Sequence, residues 1–344
     1  MKRAVIFAFS KKGCETAGKI AAALEGEYSS KIYAPEKYAR PVLGSIAALP
    51  DRVGIFTGVV FGKSDALIYV GGCGIAVRAI APYLKNKTVD PAVLCVDELA
   101  HFCVALLSGH IGGGNKLTRD LASRIGAVPV VTTATDVNKR FSVDEWAARQ
   151  GFVIGSMQGA KEVSAAILQR DIPLCADMPI PGTLPAGLYP GKTGELGISV
   201  SVYRKTPFEK TLAILPRVLT LGIGCRKGTP LAAIEDAVTA VFAEYELDFR
   251  AVRDVSSIDL KAEEEGLLAF CEKNHLSVTF YTAEQLLAVP GDFSSSGFVQ
   301  SVTGVDNVCE RSAAARGGRL LVNKTARNGV TVAVAQQEWE VNFE

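Results

Sequence analysis

Short runs of consecutive apolar residues alternate with amphipathic stretches through the first 137 residues of this 344-residue chain. The apolar runs include AVIFAF at 4–9, ALIYV at 66–70, AVLCV at 92–96 and CVALL at 103–107. Strands that are apolar without alternation are typical of a sheet covered by helices on both faces, and such sheets are mostly parallel. The pattern therefore predicts an α/β fold built on a parallel sheet.

The chain is long enough for two or three domains, since one domain usually takes about 100–200 residues. We predict a parallel-sheet N-terminal α/β domain at 1–137, a linker-like, loop-rich α/β middle segment at 138–217, and a separate α/β C-terminal domain at 218–344. Five prolines between positions 173 and 190 set the middle segment apart, because proline removes a backbone donor and stiffens the chain. In the last domain, Thr282 and Gln285 have capping-box spacing, and Asn328-Gly329 predicts a hairpin turn.

Composition and charge exclude several classes of protein. The formal net charge is +1, whereas a nucleic-acid-binding domain usually carries a basic surplus. No apolar run approaches the ~20 residues of a membrane span, and Lys11 and Lys12 interrupt the first apolar run too early for a signal peptide. Eight cysteines without a C-x-x-C pair argue against a zinc site or a disulfide framework. We therefore expect a cytoplasmic protein without nucleic-acid or membrane partners.

Glycine-rich turns follow three of the predicted strands and lead into predicted helices. They read VGGCGIAVR at 70–78, LLSGHIGGGNK at 106–116 and LGIGCRKGTP at 221–230. In doubly wound sheets, ligands bind outside the carboxyl ends of the strands, where helix N termini favour anions. None of the turns has the spacing of a P-loop or a dinucleotide fingerprint, and each lies near a cation, so we predict a polyanionic ligand other than a nucleotide. The alternative is that the glycines only allow tight packing between strand and helix.

The predicted substrate contacts come from these turns and from one neighbouring strand end. The residues are Gly74, Arg78, Ser108, Gly112, Gly113, Gly114, Asn115, Lys116, Thr133, Gly224, Arg226, Lys227, Gly228 and Thr229.

Three titratable residues follow predicted strands and are candidates for catalysis: Glu98, His110 and Asp136. A histidine and carboxylates at neighbouring strand ends can activate a water molecule by removing its proton. Each residue also has a structural interpretation. His110 can be a hydrogen-bonded loop residue, Glu98 a surface or capping carboxylate, and Asp136 a helix cap.

Two long stretches resemble a known family: GIAVRAIAPYLKNKTVDPAVLCVDE at 74–98 and LLSGHIGGGNKLTRDLASRIGAVPVVTTATD at 106–136. Four further stretches agree independently, namely LGIGCRKGTP at 221–230, SSIDLKAEEEGL at 256–267, SVTGVDNVCERSA at 301–313 and NGVTVAVA at 328–335. All of them are similar to the cobalt-precorrin-5A hydrolase family, CbiG, of anaerobic cobalamin (vitamin B12) biosynthesis. The resemblance spans nearly the whole chain in order.

The resemblance implies a hydrolase that opens the δ-lactone of a ring-contracted cobalt tetrapyrrole and releases acetaldehyde, giving cobalt-precorrin-5B. It implies a small-molecule cobalt-corrinoid substrate, other cobalamin-pathway enzymes as further candidate partners, and no cofactor or metal of the protein's own, because the cobalt belongs to the substrate. Within that reaction we predict His110 as the general base, oriented by Glu98 or Asp136. We predict the main-chain N–H groups of Gly112 to Asn115 as the oxyanion site.

A second hypothesis is a non-catalytic carrier of corrinoid intermediates in the same pathway. A carrier needs the glycines and the cations but no base, so it should tolerate the loss of His110. A methyltransferase of the pathway is a third hypothesis, but the glycine-rich signature of its cofactor pocket is absent from the sequence.

Overall fold

The chain forms two compact units, Met1–Arg149 and Gln150–Glu344. The structure is a computed structural model that describes residues 1–39, 46–86, 89–295 and 297–343. All eight cysteines are free thiols, and none of the described helices is long and apolar enough to cross a bilayer.

A seven-stranded sheet with the order β3-β2-β1-β4-β5-β6-β7 is the base of the first unit. Its strands are β1 (Lys2–Ala8), β2 (Tyr28–Ala34), β3 (Ile46–Ala48), β4 (Ala66–Val70), β5 (Ala92–Val96), β6 (Phe102–Leu107) and β7 (Val128–Val130). Strands β4 and β5 are buried at every residue, as their continuous apolar runs predicted. On one face Phe7 stacks on Tyr69 with ring centroids 4.8 Å apart, and the Tyr69 hydroxyl lies 2.8 Å from that of Thr57.

Strand β6 runs against its neighbour β5, whereas the pairs of β1 to β5 are parallel. Strand β7 is parallel to β6, so the last two strands of the sheet are both reversed. The prediction of a parallel sheet is therefore wrong at this edge. The physical reason is the link at 97–101, since a parallel return needs a crossover of a dozen or more residues.

Seven helices accompany this sheet in the described part of the first unit. They are α1 (Lys11–Ala23), α2 (Glu36–Ala39), α3 (Val53–Phe61), α4 (Cys73–Ile80), α5 (Gly114–Ile125), α6 (Ala134–Val137) and α7 (Val143–Gln150). Helix α1 starts at an N-cap, where the Ser10 hydroxyl accepts from the Gly13 N–H. Helix α5 packs against α1 and buries Leu117, Leu121 and Ala122.

The proline-rich middle of the chain carries a five-stranded sheet of its own, with the order β10-β9-β11-β12-β8. The strands are β8 (Val153–Ile154), β9 (Ile172–Ala176), β10 (Leu188–Pro190), β11 (Leu196–Val200) and β12 (Lys210–Leu215), with α8 (Met157–Ala166) beside them. Residues 138–149 belong to the first unit.

A third sheet closes the chain, with the order β15-β14-β13-β17-β16. Its strands are β13 (Leu219–Cys225), β14 (Val252–Ile258), β15 (Ser277–Tyr281), β16 (Arg319–Arg327) and β17 (Val330–Gln336). The helices are α9 (Leu231–Glu244), α10 (Glu265–Lys273), α11 (Ala283–Leu287), α12 (Gly297–Thr303) and α13 (Val308–Ala314). The predicted capping box at Thr282 and Gln285 is confirmed, and Asn328 and Gly329 form the hairpin turn with φ of +50° and +80°.

Candidate active site

The turn between β6 and α5 carries His110 and is held together by its own main chain. The N–H groups of Gly113, Gly114 and Asn115 donate to carbonyl oxygens inside the turn at distances between 2.8 and 3.0 Å. Three of the four N–H groups predicted as the oxyanion site are therefore already occupied, which contradicts that role for them, while the role of the Gly112 N–H stays a prediction.

The glycines of this turn are required by the path of the chain itself. A Cβ on Gly112 would lie 2.4 Å from the Cβ of Ser108, and a Cβ on Gly114 would lie 2.8 Å from the Leu107 carbonyl oxygen. Gly113 has a φ of +74°, in the left-handed region that side chains other than glycine disfavour. The packing alternative therefore explains the run of three glycines without a ligand.

We expect Gly112→Ala to lower the free energy of unfolding of the first unit by about 1–3 kcal/mol, the usual cost of overpacking. The matched control is Gly18→Ala in α1, where a Cβ meets nothing within 4 Å. That change should raise the free energy by about 0.5–1 kcal/mol, because alanine replaces an exposed helical glycine. Urea unfolding measures both values. A Gly112→Ala protein of wild-type stability that had lost corrinoid binding would restore the ligand interpretation.

Both ring nitrogens of His110 face carboxylates. Nε2 lies 3.3 Å from Oδ2 of Asp136, and Nδ1 lies 3.1 Å from Oδ1 of Asp144. The hydroxyls of Thr135 and Ser142 lie 3.3 Å from Nε2 and 3.2 Å from Nδ1. A histidine donates from both nitrogens only when it is protonated, so two carboxylate partners favour the imidazolium.

The pKa of His110 is raised above its ordinary value. Burial acts the other way and would lower the pKa by itself. Hydrogen bonds to Asp144 and Asp136, together with the charges of Asp144 and Glu145, outweigh burial. The surrounding carboxylates therefore favour the protonated form of the ring.

Asp136 is the centre of the hydrogen-bond network on the Nε2 side of the ring. Its Oδ1 forms an ion pair with Arg119 from α5, and its Oδ2 accepts from the Asn115 amide at 2.9 Å. The same Asn115 amide donates to the Thr133 hydroxyl at 2.8 Å, and the Asn115 residue is only 1% exposed. Asn115 thus fixes the carboxylate that contacts Nε2 of His110.

Glu145 approaches this cluster from α7. Each of His110, Asp136 and Glu145 has a side-chain atom within 4.8 Å of the corresponding atoms of the other two. Burial raises the pKa of Glu145, and repulsion from Asp136 raises it further. The positive charges of His110, Arg119 and Arg149 oppose these effects, but the pKa remains raised.

The same three side chains are of types that can ligate a divalent cation. Asp136, however, is already paired with Arg119, and Nε2 of His110 is engaged by Asp136 and Thr135. A cation would have to replace a guanidinium and break those hydrogen bonds. The arrangement fits proton transfer better than metal binding.

Glu98, Gly74 and Arg78 lie at the edge of the sheet opposite to His110. They follow β4 and β5, whereas His110 follows the reversed strand β6. The length of β5, about 17 Å at 3.3 Å per residue, separates the two edges. Glu98 accepts from the Ser10 hydroxyl at 2.5 Å, and Arg78 donates to the Gly74 carbonyl oxygen at 3.0 Å. The predicted pairing of Glu98 with His110 is therefore wrong.

Two more predicted substrate contacts have partners of their own. The Ser108 hydroxyl donates to the Asp90 carbonyl oxygen at 2.9 Å, and Ser108 itself is 7% exposed. Lys116 forms an exposed ion pair with Asp120 one turn along α5. An exposed pair of this kind contributes little stability, so an anionic ligand can compete for Lys116.

The second predicted binding turn lies between β13 and α9. Arg226 and Lys227 are exposed, and within the described residues neither side chain has an ion-pair partner. The Gly228 N–H donates to Glu264 at 3.0 Å, and the Thr229 hydroxyl donates to the Arg226 carbonyl oxygen at 2.8 Å.

The glycines of this second turn are also explained by the chain. Gly228 has a φ of +73°. A Cβ on Gly224 would lie 2.6 Å from the Thr331 hydroxyl oxygen. Of the predicted contacts in this turn, the two cationic head groups are the ones left to face solvent or a ligand.

The comparisons with known proteins cover both units. Residues 56–136 match the family model "Cobalamin synthesis G N-terminal", and residues 219–335 match "Cobalamin synthesis G C-terminus". The chain is 30% identical to the cobalt-precorrin-5A hydrolase of Priestia megaterium, covering 96% of this chain and 94% of the relative. It is 32% identical to that of Salmonella typhimurium, covering 80% of this chain and 82% of the relative. The chain belongs to the cobalt-precorrin-5A hydrolase family.

A further relative of this cobalt-precorrin-5A hydrolase family member matches about a third of the chain. Protein CobE of a Sinorhizobium species is 31% identical over 121 residues, which are 34% of this chain and 79% of CobE. The resemblance that the sequence motifs predicted is thus confirmed in both parts of the chain.

Five residues of the site were not predicted from the sequence of this family member: Arg119, Thr135, Ser142, Asp144 and Glu145. Ser142, Asp144 and Glu145 lie after residue 137, the predicted end of the N-terminal domain. Their sequence is typical of the polar first turn of a helix. The signal that pointed toward them is the pair Asp144-Glu145, because adjacent carboxylates occur here on a helix that buries Val143 and Trp146.

Proposed function

We propose that the protein is a cobalt-precorrin-5A hydrolase that adds water to the δ-lactone of its cobalt-corrinoid substrate and releases acetaldehyde. Membership of the family over 96% of the chain carries this proposal. The cluster around His110 supports it, because this cluster places a histidine between carboxylates that favour its protonated form, an arrangement suited to acid–base catalysis.

The reaction has two bond-breaking steps, and both move a proton at the same oxygen. Water first attacks the lactone carbonyl, the ester C–O bond breaks, and the released alkoxide takes a proton. The hydroxyl so formed then loses that proton, the carbon–carbon bond breaks, and acetaldehyde leaves. The electron pair of the broken bond passes into the conjugated macrocycle.

We propose His110 as the group that gives this proton and takes it back. Its raised pKa and two carboxylate partners favour the protonated ring at the start of the reaction. This role differs from the general base that we expected from the sequence, which requires a neutral ring. Asp144 positions the ring through Nδ1, and in this scheme the substrate oxygen takes the place of Asp136 and Thr135 at Nε2. The scheme needs no cofactor of the protein's own because the cobalt is part of the substrate.

The activity is tested by incubating the purified protein with cobalt-precorrin-5A under anaerobic conditions. We expect acetaldehyde in amounts equal to the substrate consumed, measured with an alcohol dehydrogenase couple. Tight binding of the corrinoid without acetaldehyde release would favour the carrier hypothesis instead.

A further inference from the structure

We infer that Glu145 is the group that takes the proton from the attacking water, an inference that rests on the proposed lactone hydrolysis. In the proposed mechanism His110 holds a proton at the start of the reaction, so a second group must accept the proton that water loses. A carboxylate beside the histidine, with a free lone pair, meets that requirement.

Glu145 differs from the other two carboxylates in its hydrogen bonds. Asp136 accepts from Arg119, Asn115 and His110. Asp144 accepts through Oδ1 from the Ser142 hydroxyl at 3.0 Å and from the Glu145 N–H at 3.1 Å, besides facing His110.

Within the described residues, no donor is within hydrogen-bonding distance of the Glu145 carboxylate. A partly buried carboxylate without a donor keeps its lone pairs for a ligand or a water. Glu145 is therefore the carboxylate of the cluster that is free to accept a proton.

A single water can reach both Glu145 and His110. The nearest carboxylate oxygen and ring nitrogen are no more than 4.8 Å apart. A molecule that makes two hydrogen bonds of about 2.8 Å can bridge up to about 5.6 Å. One water can thus contact the group that removes its proton while the lactone oxygen faces His110.

The charges around Glu145 suit this role. Asp136 on α6 repels its charged form, whereas His110, Arg119 on α5 and Arg149 on α7 attract it. Burial raises the pKa of Glu145 above its usual value, and this moves the carboxylate toward the pH at which a base works best. Asp144 acts on the histidine side of the cluster, through Nδ1.

The proposed steps conserve atoms and protons. Water loses one proton to Glu145, its oxygen forms the bond to the lactone carbon, and the ester C–O bond breaks. His110 protonates the leaving oxygen and later removes the same proton as acetaldehyde forms. Glu145 then returns its proton to solvent, which restores both groups.

The test is the pH dependence of kcat in Glu145→Gln, measured by acetaldehyde release. In the wild type we expect the rate to rise with pH as Glu145 loses its proton and to fall at higher pH as His110 loses its proton. In Glu145→Gln we expect kcat to fall about 100-fold, with little change in corrinoid affinity and with the acidic limb lost. Glu145→Asp should retain the limb at a reduced rate.

Two controls separate this role from a structural one. Asp144→Asn should move the alkaline limb, because it removes a charge that holds the proton on His110, and should leave the acidic limb in place. Glu25→Gln, on the exposed C-terminal side of α1, should behave as wild type. Urea unfolding of each variant checks that the first unit still folds.

The outcomes distinguish this inference from the proposed function. If the wild type releases acetaldehyde and Glu145→Gln keeps both its rate and its acidic limb, the inference is wrong and the proposed function stands. If the wild type releases no acetaldehyde, both are wrong. If Glu145→Gln does not fold, loss of the acidic limb in Glu145→Asp overturns the inference and its retention supports it.

Discussion

Replacing His110 with alanine is expected to lower kcat by about 10²–10⁴-fold, the range that acid–base catalysis usually contributes. The substitution removes both the donor to the leaving oxygen and the acceptor for the second step. The affinity for the corrinoid should stay close to that of the wild type, because the residues predicted to contact the substrate's carboxylates are other than His110. Single-turnover acetaldehyde release measures the rate, and a change in corrinoid absorption on titration measures binding.

The matched variant for His110→Ala is Thr135→Val, which removes one neighbour of the ring but keeps the ring itself. We expect Thr135→Val to retain most of the activity, since Asp136 and Asp144 still hold the imidazole. Near-normal turnover in His110→Ala would contradict the assignment and would favour a carrier.

Replacing Arg226 and Lys227 together with alanine is expected to weaken corrinoid binding by about 100-fold or more. Each charge-assisted contact to a carboxylate contributes about 1.5–3 kcal/mol, or roughly 10- to 150-fold in affinity. The two head groups are exposed and have no ion-pair partner among the described residues, so they are free to meet an anionic ligand. Equilibrium titration with the corrinoid at low and high salt measures the effect.

The control for the double substitution is Arg170→Ala with Lys210→Ala, which makes the same change in net charge. Arg170 and Lys210 pair with Glu195 and Glu162 beside the middle sheet. This control should bind as the wild type does. If the variant lacking Arg226 and Lys227 binds the corrinoid as tightly as the wild type, the turn between β13 and α9 has a packing role alone.

Most strands of the first and third sheets, most helices and the turn chemistry could be predicted from the sequence because their causes are local. The five strands of the middle sheet lie in the segment that was predicted as loop-rich. Strands β4 and β5 follow from unbroken apolar runs, and the last hairpin follows from Asn328-Gly329, which accepts positive φ at both positions. The sequence also predicted that His110 follows an apolar strand. Its hydrogen bond to Asp136 joins two residues that each follow a strand in the same parallel pair, β6 and β7.

The prediction that β6 runs parallel to β5 was wrong. An apolar run looks the same in a parallel and an antiparallel strand, and only the short link at 97–101 distinguishes them. Missing that reversal placed Glu98 beside His110. Asp144 and Glu145 could not be assigned in advance, because the approach of α7 to His110 depends on tertiary packing.

The reversal of β6 and β7 also determines how local the candidate site is. Its acidic groups, its histidine and its arginine all come from residues 108–145, which follow one another along the chain. Closing a short segment costs less chain entropy than joining distant ones, and contacts between near neighbours form early in folding. The central strands of the same sheet instead pair across long separations, as Ala4 with Ala66. The candidate site is thus formed by one contiguous segment, whereas the central strands of the sheet are joined by pairs that are distant in sequence.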